Sequence, residues 1–189
     1  MKVEEKLDGL YSENSFSGKW RTTPEDTKLL ADSTHSLYGE IKRQTVDNIV
    51  NHFKQRFNKK AVFYDIGSGL GKMVLHIGLK YGIESYGIEL SQNKHKGALE
   101  LKEKFCKDSK NIHFINNNFF TEDLSKATII YFDNTVMEDN FFNQIYDKLS
   151  KDCLIMFRRK VYSIESECLM GNEWSTQYGT KRLRYIIKK

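Results

Sequence analysis

The sequence predicts an α/β chain: a doubly wound, mostly parallel sheet of seven strands with a short N-terminal helical segment before it. Two observations carry that expectation. Short runs rich in Val, Ile, Phe and Tyr recur at Ala61–Tyr64, Ser85–Leu90, Ala127–Phe132 and Cys153–Phe157, and they have the length and apolarity of buried parallel strands. Helical periodicity fills the intervals, and the first run enters its helix through the turn Gly67-Ser68-Gly69-Leu70-Gly71. Strand, tight turn, helix and strand in that order make a βαβ unit.

Taken in order, residues 1–20 show little periodicity and are expected to be irregular or a short helix pair. Thr23-Pro24-Glu25-Asp26 reads as a helix start: Thr caps, Pro suits the first turn, and the acids meet the positive end of the dipole. That helix fades between Asp32 and Ser36, and Leu37-Tyr38-Gly39-Glu40 turns into a second. Ile41, Val46, Ile49, Val50, Phe53 and Phe57 give the second helix one apolar face, which should pack against the sheet. Beyond the glycine turn, Met73, Val74 and Ile77 continue a helical pattern. Ser91 can cap a helix running to about Cys106. Asn111–Asn117 alternates enough for a third strand, with Asn118-Phe119-Phe120 as the loop after it. Asp133-Asn134-Thr135 stands at the carboxyl end of the fourth strand, where open α/β sheets bind their ligands. A helix is expected from about Glu138 to Leu149. The remainder after the fifth strand reads as two further strands or a hairpin.

At 189 residues the chain is expected to be one catalytic domain, with residues 1–57 as the helical segment and 58–189 as the core. Pro24 is the single proline, which argues against linkers. The beginning, MKVEEKLDGL, lacks the apolar run of a secretory signal and nothing approaches membrane-span length, so a soluble intracellular protein is expected. Cys106, Cys153 and Cys168 form no CxxC pair and read as reduced thiols. The five histidines lack metal-ligand spacing, so no structural metal is expected. His76, inside an apolar helix, reads as a packed or partly exposed side chain. Of 30 Lys+Arg and 25 Asp+Glu, residues 151–189 hold 9 and 4, leaving 30 − 9 = 21 and 25 − 4 = 21 before them. The whole net charge of +5 therefore lies in the C-terminal segment. Arg158, Arg159, Lys160, Lys181, Arg182, Arg184, Lys188 and Lys189 form either a docking surface or a solvated edge.

A lone glycine turn says little about chemistry. Here Asp65 precedes it and Glu89 ends the next strand 89 − 65 = 24 residues later, about one βαβ step. The glycines let backbone come close to a ligand, and Glu89 is placed to accept hydrogen bonds from the two hydroxyls of a ribose. The turn is G-S-G-L-G, not G-x-G-x-x-G, and an acid leads into it. That suits S-adenosylmethionine better than NAD, because no pyrophosphate needs cradling and Asp65 can meet a cationic amino-acid portion.

With these pieces in place the chain resembles the disruptor-of-telomeric-silencing family, the non-SET histone-lysine methyltransferases, from about Pro24 onward. The resemblance rests on Tyr38-Gly39-Glu40, Tyr64-Asp65-Ile66-Gly67-Ser68-Gly69-Leu70-Gly71, Tyr86-Gly87-Ile88-Glu89, Asn118-Phe119-Phe120, Asp133-Asn134 and Trp174-Ser175. The Tyr-Gly-Glu turn, 65 − 40 = 25 residues before Asp65, together with Y-G-x-E, singles out this family. It implies a Rossmann-like class I S-adenosylmethionine-dependent methyltransferase fold, S-adenosylhomocysteine as product and no metal. Glu40 and Asp65 would hold the amino-acid portion, and Gly67, Ser68, Gly69 and Gly71 would line the cofactor. Glu89 would hold the ribose. Asn118, where the family usually has Asp, and Phe119 would hold adenine, unless Phe119 and Phe120 are ordinary core. Tyr38, Asp133, Asn134 and Trp174 would surround the channel that admits the lysine, with core anchoring as the other reading of Trp174. Asp133-Asn134-Thr135, with Met137 beyond, departs from the family's Asn-Asn-Phe. The helical region before the Tyr-Gly-Glu turn is also short here.

The resemblance implies a lysine in the globular core of histone H3 on the nucleosome as substrate, a monomeric enzyme, and a nuclear or chromatin location. The basic C-terminal segment would dock DNA phosphates or the acidic histone face. The alternatives are a class I methyltransferase acting on a non-histone protein or a nucleic acid, or an inactive cofactor-binding chromatin module. The Pro-Pro-aromatic motif typical of nucleic-acid amino-methyltransferases is absent, since Pro24 is the only proline. An arginine methyltransferase needs paired glutamates after the fourth strand, and only Glu138 lies close.

Overall fold

The computed structural model describes residues 1–13, 18–20, 23–24, 39–135, 138–176, 179 and 181–189. The helix expected from Pro24 lies beyond the described residues apart from its first residue, as do Tyr38 and Met137. One sheet of seven strands has the order β3-β2-β1-β4-β5-β7-β6. The strands are β1 Val62–Ile66, β2 Glu84–Glu89, β3 Ile112–Asn116, β4 Ile129–Phe132, β5 Leu154–Phe157, β6 Glu167–Met170 and β7 Arg182–Ile187. The first five run parallel, and β7 enters antiparallel between β5 and β6. The helices are α1 Val3–Ser12, α2 Arg43–His52, α3 Lys72–His76, α4 Gln92–Cys106 and α5 Asp139–Lys148. A π turn, Ile77–Tyr81, extends α3.

Alternation along the strands divides the core. Phe63, Ile129, Tyr131, Leu154 and Met156 pack with Leu7 and Leu10 of α1, Ile49 of α2 and Leu75 of α3. Tyr64, Ile66, Ile130, Phe132, Ile155 and Phe157 pack with Phe142 and Ile145 of α5 on the other face. That is the doubly wound arrangement expected, with one correction, to the extent of the second helix. Residues 117–128, between β3 and β4, form no helix. Asn118 Oδ1 accepts from Phe120 N at 3.0 Å and Asp123 Oδ1 from Ser125 N at 2.9 Å, short polar side chains that satisfy the backbone in turns instead. The β5–β6 connection is likewise without a helix. The apolar run Ile41–Phe57 is helical only over Arg43–His52, because Ile41 forms a bridge with Thr176 and the chain turns after Phe53. The cap at Ser91 is as expected, its Oγ accepting from Lys94 N at 3.2 Å. Among the described residues no helix is long and apolar enough to cross a membrane.

Candidate active site

Strand order reverses beside β1, and a pocket opens at the carboxyl ends of β1 and β4, the place where such sheets bind ligands. Glu40, Asp65, Gly67, Ser68, Lys72, Tyr131 and Asp133 are among the residues that line it. Asp65 is the penultimate residue of β1 and is 6% exposed. Burial, followed by the nearby charges of Glu89 and Asp133, pushes its carboxyl up to about 8. A cation placed against it would reverse that shift. Glu40 is neutralised by Lys72, Nζ to Oε2 at 2.9 Å, with both side chains almost wholly buried.

The loop between β1 and α3 is held open by its own backbone. Gly67 N and Ser68 N donate to Ile88 O at 2.9 and 3.0 Å. Gly69 N donates to Glu89 Oε2 at 2.7 Å, and Ser91 N to Glu89 Oε1 at 2.8 Å. Gly67 has φ 73, and a Cβ built there would meet nothing within 4 Å, so its missing side chain faces open space. The buried Ser68 Oγ has no hydrogen-bond partner. Open backbone, an orphaned hydroxyl and an under-neutralised acid together fit a polar, cation-bearing ligand such as S-adenosylmethionine. Gly71 serves packing, since a Cβ there would lie 2.2 Å from the Phe114 ring.

The expected residues separate into groups. Glu40, Asp65, Gly67, Ser68 and Asp133 converge on the pocket. Glu89 and Gly69 meet each other beside it, Glu89 shaping the loop as a receptor for backbone N–H groups. Asn118 and Phe119 stand in the turn after β3, where Phe119 is half-buried and packs against Phe120 and Phe132. Asn134 is not among the described pocket-lining residues. It is 1% exposed, its Oδ1 accepts from Arg158 N at 3.0 Å and Arg159 N at 2.7 Å, and its Nδ2 donates to Arg159 O at 3.0 Å. These three bonds tie the ends of β4 and β5 together. Trp174 packs in the core edge-on to His52, ring centroids 5.5 Å apart, and is not part of the described pocket lining.

Two lining residues with polar side chains, Lys72 and Tyr131, were not expected from the sequence. Lys72 is the first residue of α3, where a cation opposes the helix dipole, and that placement in an otherwise apolar turn was the available signal. Tyr131 lies on β4 two residues before Asp133, which follows the end of that strand, and both line the pocket. Its hydroxyl accepts from Arg158 Nε at 2.8 Å. Arg158 is therefore not a surface residue. It is 1% exposed, and its Nη1 also donates to Trp174 O and Arg182 O, each at 2.6 Å. Lys188 is engaged as well, donating to Tyr146 O and Leu149 O at 2.6 Å at the end of α5. Arg159 pairs with Asp139 at 2.7 Å. Of the basic C-terminal set, Lys160, Lys181, Arg182 and Lys189 are exposed. No group of three or more His, Cys, Asp or Glu side chains is arranged to hold a metal ion among the described residues.

Solved methyltransferases share this architecture. An RNA methyltransferase from Salinibacter ruber in complex with S-adenosyl-L-homocysteine superposes with a TM-score of 0.65 at 17% identity, covering 77% of this chain and 91% of that one. A putative S-adenosyl-L-methionine-dependent methyltransferase from Methanococcus maripaludis gives 0.61 at 15% identity, covering 94% and 96%. At such identities the likeness shows the fold alone, the Rossmann-like class I methyltransferase fold. In sequence, the chain is 33% identical over 88 residues to a histone-lysine N-methyltransferase, H3 lysine-79 specific, of Gibberella zeae, which is 45% of this chain and 18% of that protein. The counterpart of Yarrowia lipolytica is 24% identical over 154 residues, 72% of this chain and 31% of its own length. The chain thus matches less than a third of each of these relatives. The family model of the histone methylation protein DOT1 matches residues 21–177. By that match, which takes in the Tyr-Gly-Glu turn, the glycine loop and the strand-ending acids, the chain belongs to the DOT1 histone methylation family.

Proposed function

We propose that this protein is an S-adenosylmethionine-dependent protein-lysine methyltransferase whose substrate is a lysine in the globular core of histone H3 on the nucleosome. The observation that carries the reading is the convergence of Asp65, Glu40, Lys72 and Asp133 on one pocket at the sheet's switch point, in a chain of the DOT1 family. The cofactor, when bound, supplies an electrophilic methyl group on a sulfonium. Asp65 holds the cationic amino-acid portion, Glu89 the ribose, and Asn118 with Phe119 the adenine.

The acceptor must arrive as a neutral amine. A free lysine has a pKa near 10.4, so roughly one in a thousand or fewer is neutral near pH 7. A partly dry channel beside a positive charge lowers that value. Tyr131 and Asp133 form the acceptor side of the pocket, where Asp133 orients the amine by accepting its hydrogen bond. Asp133 Oδ1 is itself fixed by Thr135, N and Oγ1 at 3.1 and 2.5 Å. The proton leaves through water before transfer, so no strong base is needed. Lys181 and Arg182, both exposed, serve as contacts to nucleosomal phosphate or to acidic histone side chains.

The test is incubation with labelled cofactor and either free histones or nucleosomes, followed by mass spectrometry. Label on a core lysine of H3, stronger on nucleosomes, is expected. Label only on other proteins or on nucleic acid would overturn the substrate, and no transfer with bound cofactor would favour an inactive module. Lys181→Ala with Arg182→Ala should reduce nucleosome methylation far more than methylation of a short peptide, with a flatter salt dependence.

A further inference from the structure

Lys72 is 4% exposed and lines the pocket. Its ammonium carries three N–H donors. Two are engaged, by Glu40 Oε2 at 2.9 Å and by the main-chain carbonyl of Glu13 at 2.8 Å. Among the described residues the third has no acceptor. The other ionisable carboxyls of the lining, Asp65 and Asp133, are acids. A ligand end that carries both an ammonium and a carboxylate matches this pattern: the acids take its cation, and Lys72, the cationic side chain among the described lining residues, takes its anion.

The second engaged donor brings in α1. Glu13 is the C-cap of that helix, so Lys72 binds a carbonyl at the negative end of a helix dipole. The Tyr11 ring lies 6.0 Å from Nζ. Tyr11 is anchored in turn through its hydroxyl to His76 Nδ1 at 3.1 Å, while His76 Nε2 meets Asp47 Oδ1 at 3.0 Å. At its other end α1 is held by Arg43 of α2, which pairs with Glu4 and Asp8. The position of the Lys72 ammonium is therefore set by how α1 seats on α2 and α3.

We infer that Lys72 anchors the carboxylate of the cofactor's amino-acid portion, and that α1 is the element that positions it. The inference rests on the reading of the pocket as an S-adenosylmethionine site. The test compares binding of S-adenosylhomocysteine with binding of its decarboxylated analogue, by calorimetry. The wild-type chain should prefer the carboxylate-bearing ligand. Lys72→Met should reduce that preference by about tenfold to a hundredfold, the worth of one buried charge-assisted hydrogen bond, while affinity for the decarboxylated analogue stays within about twofold. Because Lys72→Met strands a buried Glu40, Lys72→Met with Glu40→Gln is the second variant and should show the same loss. Arg43→Ala, remote from the pocket, should lose part of the same preference by loosening α1. An unchanged preference in both Lys72 variants overturns the anchor, and an unchanged preference in Arg43→Ala overturns the part given to α1. Failure of the wild-type chain to bind S-adenosylhomocysteine at all would instead count against the cofactor site itself.

Discussion

Asp65 is the residue whose surroundings most constrain the chemistry. Its carboxyl titrates near 8 because it is buried beside two other acids, so without ligand it is largely protonated at neutral pH. Binding a cation requires the ionised form, and cofactor binding must therefore release a proton. Affinity should tighten as pH rises from 6 towards 8, before the ligand's own ammonium loses its charge, and Asp65→Asn should bind weakly with no such slope; calorimetry in buffers of different ionisation enthalpy reads both. The same shift acts on stability with a definite sign. Its folded value lies above the unfolded one, so the contribution is fully present below about pH 4 and is lost as pH rises towards 8. Asn134 carries a different kind of constraint. Asn134→Ala strands the buried N–H groups of Arg158 and Arg159, at about 1–3 kcal/mol for each buried group left unpaired. Each kcal/mol lowers the melting temperature by roughly 2–4 °C in a domain of this size. A thermal scan showing no change would restore Asn134 to the list of channel residues.

At the scale of elements, the βαβ unit was legible because several signals agreed. The apolar run, the glycines, Ser91 as a cap and Glu89 at a strand tip each imply the same geometry. The β3–β4 connection is a loop, as Asn118-Phe119-Phe120 reads, and Asn118 and Asp123 spend their side-chain oxygens on its turns. Lys72 and Arg158 were read poorly: charge predicts exposure unless a partner is known, and their partners, Glu40 and Tyr131, lie 32 and 27 residues away. Gly87 shows what a strand glycine can hide. A Cβ there would lie 2.7 Å from Ser68 Oγ and 2.8 Å from the Phe114 ring. Gly87→Ala should therefore cost about 1–3 kcal/mol through overpacking, with part recovered by Phe114→Leu; an unaltered urea midpoint would refute this. His76 links α1, α2 and α3. Burial holds it down at about 4 and hence neutral. Since Asp47 can only accept, Nε2 carries the proton and Nδ1 accepts from Tyr11. Its stabilisation is present above pH 6.5 and is lost as pH falls towards 4, on the order of 3 kcal/mol. The measurement belongs in an Asp65→Asn background, which removes the opposing titration. There the urea midpoint should fall between pH 7 and 4.5, and fall less in His76→Gln.

Across the whole molecule, the two halves of the candidate site come from different stretches of chain. Most of the cofactor half is local, from Glu40 to Glu89, with Asn118 and Phe119 assigned to it from the turn after β3, and that is why its motifs were readable. The acceptor half depends on Tyr131, Asp133 and the buried Arg158, which reaches the carbonyls of Trp174 and Arg182. Nothing in the spacing of those residues announces that they meet. The strand order β5-β7-β6 has a consequence for assembly. β6 is synthesised before β7 yet borders only β7, so it has no partner until Arg182–Ile187 emerges and inserts beside β5. Arg158 must likewise wait for Arg182, whose carbonyl accepts one of its Nη1 bonds. A chain without the last strand would leave β6 with no neighbour in the sheet and Arg158 without one of its carbonyl acceptors, so both depend on residues that are synthesised last.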